Sequence, residues 1–227
     1  MIPINDENPT ERPPLITWTL LIGCVLVFFW QLTLDSQALL HVVYGLGFVP
    51  AVLLQGARLP EDVQVVAPWM TVFTSQFLHG GWLHLISNML FLYVFANNVE
   101  DAMGHGRFLV FYLLGGAVAA LGHGLFAPGS EVPMIGASGA ISAVLGAYLL
   151  LHPSSRITVL IPLGLILYPA RLPAAAVLVL WFVIQLFQAL LTPPDQPGVA
   201  FLAHVAGFAA GVALLFVFKR RDVRLLQ

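Results

Sequence analysis

The sequence predicts an all-α polytopic membrane protein built as a bundle of six transmembrane helices. Three observations carry this expectation. The 227 residues are 59% hydrophobic and 9% charged, against roughly 25% charged in a soluble domain. Six stretches of 18 to 20 residues contain no Asp, Glu, Lys or Arg, long enough to cross a hydrocarbon core about 30 Å thick. These runs are continuously apolar, whereas the strands of a transmembrane β-barrel alternate over segments of about ten residues. Little chain remains for a soluble domain. The expected organisation is a cytoplasmic tail over 1–14, a six-span domain over 15–218 and a basic cytoplasmic tail over 219–227.

Residues 1–14 contain Asp6, Glu7, Glu11 and one arginine, Arg12. That is neither the basic flank of a cleaved signal peptide nor an Arg-rich transit peptide, so 15–34 is expected to be retained as the first span. Cys24 is the only cysteine, which leaves no intramolecular disulfide and no cysteine-based metal site. The second span, 82–99, opens with His84 and Asn88; Asn97, Asn98, Glu100 and Asp101 at its end read as caps and turn residues. The third, 108–127, carries Gly115, Gly116, Gly122 and Gly124, which permit close packing. The fourth, 134–151, opens on Gly136-Ala137-Ser138-Gly139, and the last two cover 172–191 and 199–218. The segment 157–168 is apolar but holds Pro162 and Gly164. It is too short to cross and reads as re-entrant or interfacial. Trp18, Trp30, Trp69 and Trp82 read as interface anchors.

Charge placement sets the orientation. Lys219, Arg220, Arg221 and Arg224 follow the last span, and the positive-inside rule puts them in the cytoplasm. Six spans then bring Arg12, Arg107, Arg156 and Arg171 to the same side and leave only Arg58 outside. Spans two, four and six run inward from the outer face. Their first polar residues, His84 and Asn88, Ser138 and His204, thus share a depth in the outer half of the membrane.

Polar side chains are costly to bury in a bilayer and default to functional candidates. Small residues at four-residue spacing let membrane helices approach closely. Gly139, Ala143 and Ala147 form such a stripe on span four, and Ala203, Gly207 and Gly211 form one on span six. Facing stripes would bring Ser138 and His204, at their edges, within hydrogen-bonding distance. A serine needs a base to become a nucleophile. All acidic residues lie outside the spans or at their ends, so the pattern points to a Ser-His dyad rather than a triad. His84 and Asn88 are i,i+4 neighbours and offer donors for an oxyanion, as does the Ser138 backbone N–H at a helix start. His79 falls in the loop entering span two and is expected to make a structural hydrogen bond. Nucleophile, base and oxyanion donors together describe acyl transfer, and with water the reaction is hydrolysis.

His79-x4-His84-x3-Asn88, Gly136-Ala137-Ser138-Gly139 and Ala203-His204-x2-Gly207-x3-Gly211, in this order on spans two, four and six, resemble the rhomboid intramembrane serine proteases. The resemblance covers roughly residues 68–218 and the six-span layout. It implies Ser138 as nucleophile, His204 as base, and His84, Asn88 and the Ser138 N–H at the oxyanion. It further implies that 35–78 is a partly membrane-embedded structural element and that 192–198, with three prolines, is a stiff lid. Two positions depart from the family pattern. Met70-Thr71 stands where Trp-Arg is frequent in the first loop. Ser142 stands where some relatives stack an aromatic ring on the catalytic histidine, which leaves the orientation of His204 without an explanation in the sequence.

His41, His105, His123 and His152 have no partner pattern and read as structural. His79, His84 and His204 lack the HExxH spacing or carboxylate of a metal site, so no metal or other cofactor is expected. Nothing points to nucleic acid. The expected partners are transmembrane protein substrates and the lipid bilayer, in a bacterial inner membrane. The competing function is a catalytically inactive escort that binds membrane proteins; a transporter would show an internal repeat.

Overall fold

The computed structural model describes residues 1–226 except 165, 194 and 197. Its frame is a bundle of long helices at the positions of the apolar runs. Strand β1 (Ile2–Asp6) precedes α1 (Leu15–Leu32), and short helices α2 (Ser36–Leu46), α3 (Pro50–Leu54) and α4 (Thr71–Thr74) follow. Next come α5 (Trp82–Met103), α6 (His105–Phe126), α7 (Ser138–Leu151), the strands β2 (Arg156–Leu163) and β3 (Ile166–Pro173), then α8 (Ala174–Leu191) and α9 (Phe201–Phe218). By length and composition α1, α6, α8 and α9 are each able to cross a membrane; α7, at 14 residues, is shorter.

α1 starts after Pro13-Pro14 and buries Thr17, Leu21, Cys24, Phe28 and Gln31, a single helical stripe. Its N-terminal N–H groups lack intrahelical partners and are satisfied from another helix. The Glu100 carboxylate of α5 accepts from Ile16 N at 2.9 Å, Thr17 N at 2.8 Å and the Thr17 hydroxyl at 2.7 Å. His105 Nδ1 lies 2.6 Å from the same carboxylate. α5 therefore runs on to Met103, beyond the expected end of the span at 99. Glu100, expected to act as a cap, caps the neighbouring helix.

Of the segment expected to be re-entrant or interfacial, residues 157–163 and 166–168 lie in the antiparallel strands β2 and β3, to which β1 adds as an antiparallel third strand. Alternation explains the difference: Ile157 and Val159 are fully buried against the bundle while Arg156 and Leu163 are exposed, and β-branched residues suit such a half-buried pleat. Tyr148 on α7 donates to Asp6 at 2.8 Å, and Arg171 pairs with Glu7 at 3.3 Å, tying the sheet together and to the bundle. The chain after α9 packs at the same end, with Arg220 N on Ala102 O at 3.0 Å and Leu226 N on Leu150 O at 2.9 Å. An all-α description thus holds for the bundle, with a small sheet added at the end where α5, α7 and α9 finish.

α7 and α9 pack backbone to backbone. A Cβ on Gly207 would overlap the Gly139 carbonyl, and one on Gly211 would overlap that of Ala143. The two small-residue stripes face each other, and glycine at these positions is what lets the helices close. Residues 35–78 fold over the other end of the bundle. Phe48, fully buried, exchanges backbone hydrogen bonds with Met134 at 3.0 and 2.8 Å. Thr74 donates to Leu46 O at 2.6 Å and Gln76 to Leu113 O at 3.2 Å. These contacts anchor the segment in place of a Trp-Arg pair; Trp69 itself is exposed.

Candidate active site

α5, α7 and α9 all begin at the end of the bundle opposite the sheet, and their first turns surround a cavity of about 800 Å³. Gln76, the 80–84 turn, Asn88, residues 133–136, Ser138, Gly198–Ala200 and His204 line it. The cavity gathers Ser138, His204, His84 and Asn88, four side chains that the sequence scatters over 120 residues.

Ser138 is the first residue of α7. The turn before it needs Gly136 at φ +121, a backbone conformation that favours glycine, and Gly136 N is held on Ser75 O at 2.9 Å. The helix consequently starts at 138 rather than 134. The Ser138 N–H and its hydroxyl stand at an open helix N-terminus, where amide donors lack partners. His204, in the first turn of α9, is buried, and its Nε2 lies 2.8 Å from Ser138 Oγ. Ser142 does not reach the ring; its hydroxyl donates to Ser138 O at 2.7 Å.

The other face of the imidazole was not anticipated. Gln185 of α8 places its amide oxygen 2.7 Å from His204 Nδ1. An amide oxygen only accepts, so Nδ1 carries the proton and Nε2 is left with a lone pair toward the serine. Trp181, one turn earlier on α8, lies over the same ring at 5.9 Å between centroids with 31° between planes, and Phe201 meets it edge-on at 6.3 Å. The sequence of α8 carries two polar residues, Gln185 and Gln188, and only the packing separates them: Gln185 is buried whereas Gln188 is exposed.

His84 sits directly over Gly136. A Cβ there would come within 2.5 Å of His84 Nε2, so the glycine makes room for the ring. Gly80 N donates to His84 Nδ1 at 3.3 Å, which puts the ring proton on Nε2, facing the Ser138 turn. Asn88 is buried and lines the cavity; its amide donates to His84 O at 2.8 Å and carries a second proton. His79 lies outside the cavity lining. Its Nδ1 is 3.2 Å from Phe77 O, its N–H donates to Gln31 of α1 at 3.0 Å, and its ring meets His84 edge-on at 5.1 Å. Gly139 presses against Ala119 of α6, and Gly207 and Gly211 against α7; these glycines shape the packing beneath the site. Of the 192–198 segment, Gly198 lines the cavity; Pro194 and Pro197, on which the expected stiffness partly rested, lie outside the described residues.

The arrangement has the parts of an acyl-transfer site: a hydroxyl, a base with a free nitrogen on it, and donors beside them. Residues 67–221 match a family model described as the Rhomboid domain. The chain is 34% identical over 173 residues to RHOMBOID-like protein 5 of Arabidopsis thaliana, covering 76% of this chain and 51% of that protein. It is 30% identical over 139 residues to the putative rhomboid protease YdcA of Bacillus subtilis (strain 168), covering 60% and 61%. It is also 40% identical over 88 residues to rhomboid protease GluP of the same organism, covering 39% and 17%. The chain thus spans about half the length of the first of these relatives and less than two thirds of each.

Proposed function

The chain belongs to the rhomboid family, and we propose on that premise that it is an intramembrane serine endopeptidase that cleaves membrane proteins in or near their transmembrane segments. The observation that carries this reading is the 2.8 Å contact between His204 Nε2 and Ser138 Oγ. His204 takes the hydroxyl proton as Oγ attacks the scissile carbonyl carbon. The negative charge formed on the carbonyl oxygen is met by the Ser138 N–H, His84 Nε2–H and Asn88 amide. When the C–N bond breaks, His204 passes the proton to the leaving amine, and the acyl group stays on Ser138. Water then attacks this ester, giving a proton to His204, and as the bond from the carbonyl carbon to Ser138 Oγ breaks His204 returns that proton to Oγ, freeing the serine and the acid product.

The same reading gives the chain six spans with both termini in the cytoplasm. Its basic residues support this, since Arg156 and Arg171 lie on the sheet, Arg220 N bonds to Ala102 O and the Arg12 guanidinium lies beside Gly104, all at the sheet end of the bundle. The cavity then opens in the outer half of the membrane, where water is available. A helical peptide bond is shielded by its own hydrogen bonding, so substrates with small or helix-breaking residues near the site are favoured. Purified Ser138→Ala and His204→Ala proteins are expected to insert normally and leave a reporter transmembrane substrate intact. Full cleavage by Ser138→Ala excludes the serine mechanism; an intact substrate with the wild-type protein as well, together with retained binding, favours an escort.

A further inference from the structure

We propose that Gln185 is the positioning residue for His204, holding its ring in the tautomer and orientation that general-base chemistry at Ser138 requires. The proposal rests on the dyad reading above. In soluble serine hydrolases the third group is a carboxylate that holds the imidazole Nδ1–H and stabilises the imidazolium. Here the nitrogen opposite Ser138 meets a neutral amide oxygen at 2.7 Å. Of the buried residues of α8, namely Ala174, Val177, Leu178 and Gln185, Gln185 alone is polar and alone lies in the C-terminal half of the helix. Its burial is therefore not a by-product of general packing along α8. Trp181 on the same face fixes the tilt of the ring, so one helix supplies both constraints, a role that Ser142 on α7 leaves open.

The choice of an amide follows from the medium. An ionised carboxylate in the middle of a membrane-spanning helix is costly to insert, whereas an amide oxygen accepts the same hydrogen bond without a buried charge. Gln185 can still receive the Nδ1–H of the imidazolium when Nε2 is protonated. The other groups near the ring are Ser138 on α7, Phe201 on α9, and the imidazoles of His84 on α5 and His123 on α6; no carboxylate is bonded to it among the described residues.

Two variants test the proposal in purified protein with a reporter transmembrane substrate. Gln185→Met keeps the volume and apolar character of the site but removes the acceptor; kcat is expected to fall about tenfold to a hundredfold with KM unchanged. Gln185→Glu restores the acceptor; activity is expected to return, with the acidic limb of the kcat/KM profile moved to higher pH because a carboxylate favours the imidazolium. Wild-type kcat in Gln185→Met overturns the proposal, as does a Gln185→Glu protein whose pH profile is that of the wild type. Should Gln185→Glu not fold, the division of the Gln185→Met effect between kcat and KM decides alone. Ser138→Ala, assayed alongside, separates the outcomes: activity there removes the dyad itself, whereas an inactive Ser138→Ala with a fully active Gln185→Met removes only the role of Gln185.

Discussion

His84 occupies the space that a Cβ on Gly136 would fill, with its Nε2 over the turn that presents Ser138. One glycine thereby serves two purposes. Its φ of +121 permits the turn into α7, and its missing side chain admits the ring. Gly136→Ala is expected to displace His84 and to lower kcat/KM about a hundredfold or more, the scale of losing one oxyanion donor. Backbone strain should cost a further ~1–3 kcal/mol of stability. Steady-state cleavage by a protein that still inserts checks this; unchanged kcat/KM means that His84 does not act where its ring sits.

The contact between α7 and α9 makes a paired prediction about stability. A Cβ on Gly211 runs into the Ala143 backbone, whereas one on Gly106 in α6 meets nothing. Gly211→Ala should destabilise by about 1–3 kcal/mol through overpacking and disturb Ser138 and His204 together. Gly106→Ala should be neutral or slightly stabilising, because alanine is the better helix former. Thermal unfolding in detergent separates the two, and equal melting temperatures would refute the close approach.

Glu100 is the cap of α1, although it lies on α5. Glu100→Ala strands the N–H groups of Ile16 and Thr17 and the Thr17 hydroxyl, at about 1–3 kcal/mol for each group left unsatisfied. Glu100→Gln keeps one acceptor oxygen and should lie between the variant and the wild type. Unfolding midpoints of the three proteins give the order, and a wild-type midpoint for Glu100→Ala contradicts it.

Asp6 makes the sheet pH-sensitive. Burial pushes its carboxyl from the ordinary 3.8 up to about 6, against the opposing hydrogen bond from Tyr148. Between these values the folded protein binds more protons than the unfolded chain, so stability from this group is fully present below about 3.8 and is lost as pH rises through about 6. Asp6→Asn stays neutral throughout. The melting-temperature difference, wild type minus Asp6→Asn, is expected to decline from pH 4 to pH 6.5 or so and then level off. A difference that is flat over this range, or that rises, contradicts the assignment.

The bundle was legible because a charge-free run of some twenty residues has few alternatives in a bilayer, and the ordered polar residues on three of those runs converge in one cavity. The failures have local causes. The apolar run before Gly164 is ambiguous between helix and strand by pattern, and its partner β1 (Ile2–Asp6) is far from it in the sequence. The early start expected for the fourth span came from hydropathy alone, which is blind to the Phe48–Met134 pairing and the Gly136 turn. Gln185 went unnoticed because a helix as uniformly apolar as α8 does not say which of its faces turns inward. Only the packing against α9, where Phe182 meets Phe208 at 4.5 Å, does so.

Reaction of the purified, folded protein with a fluorophosphonate, followed by peptide mass spectrometry, is the most direct measurement of whether His204 activates Ser138. The expected result is a single adduct on Ser138 that disappears in Ser138→Ala and forms far more slowly in His204→Ala. An adduct on a different serine, or equal labelling of Ser138 with and without His204, contradicts a dyad at this site.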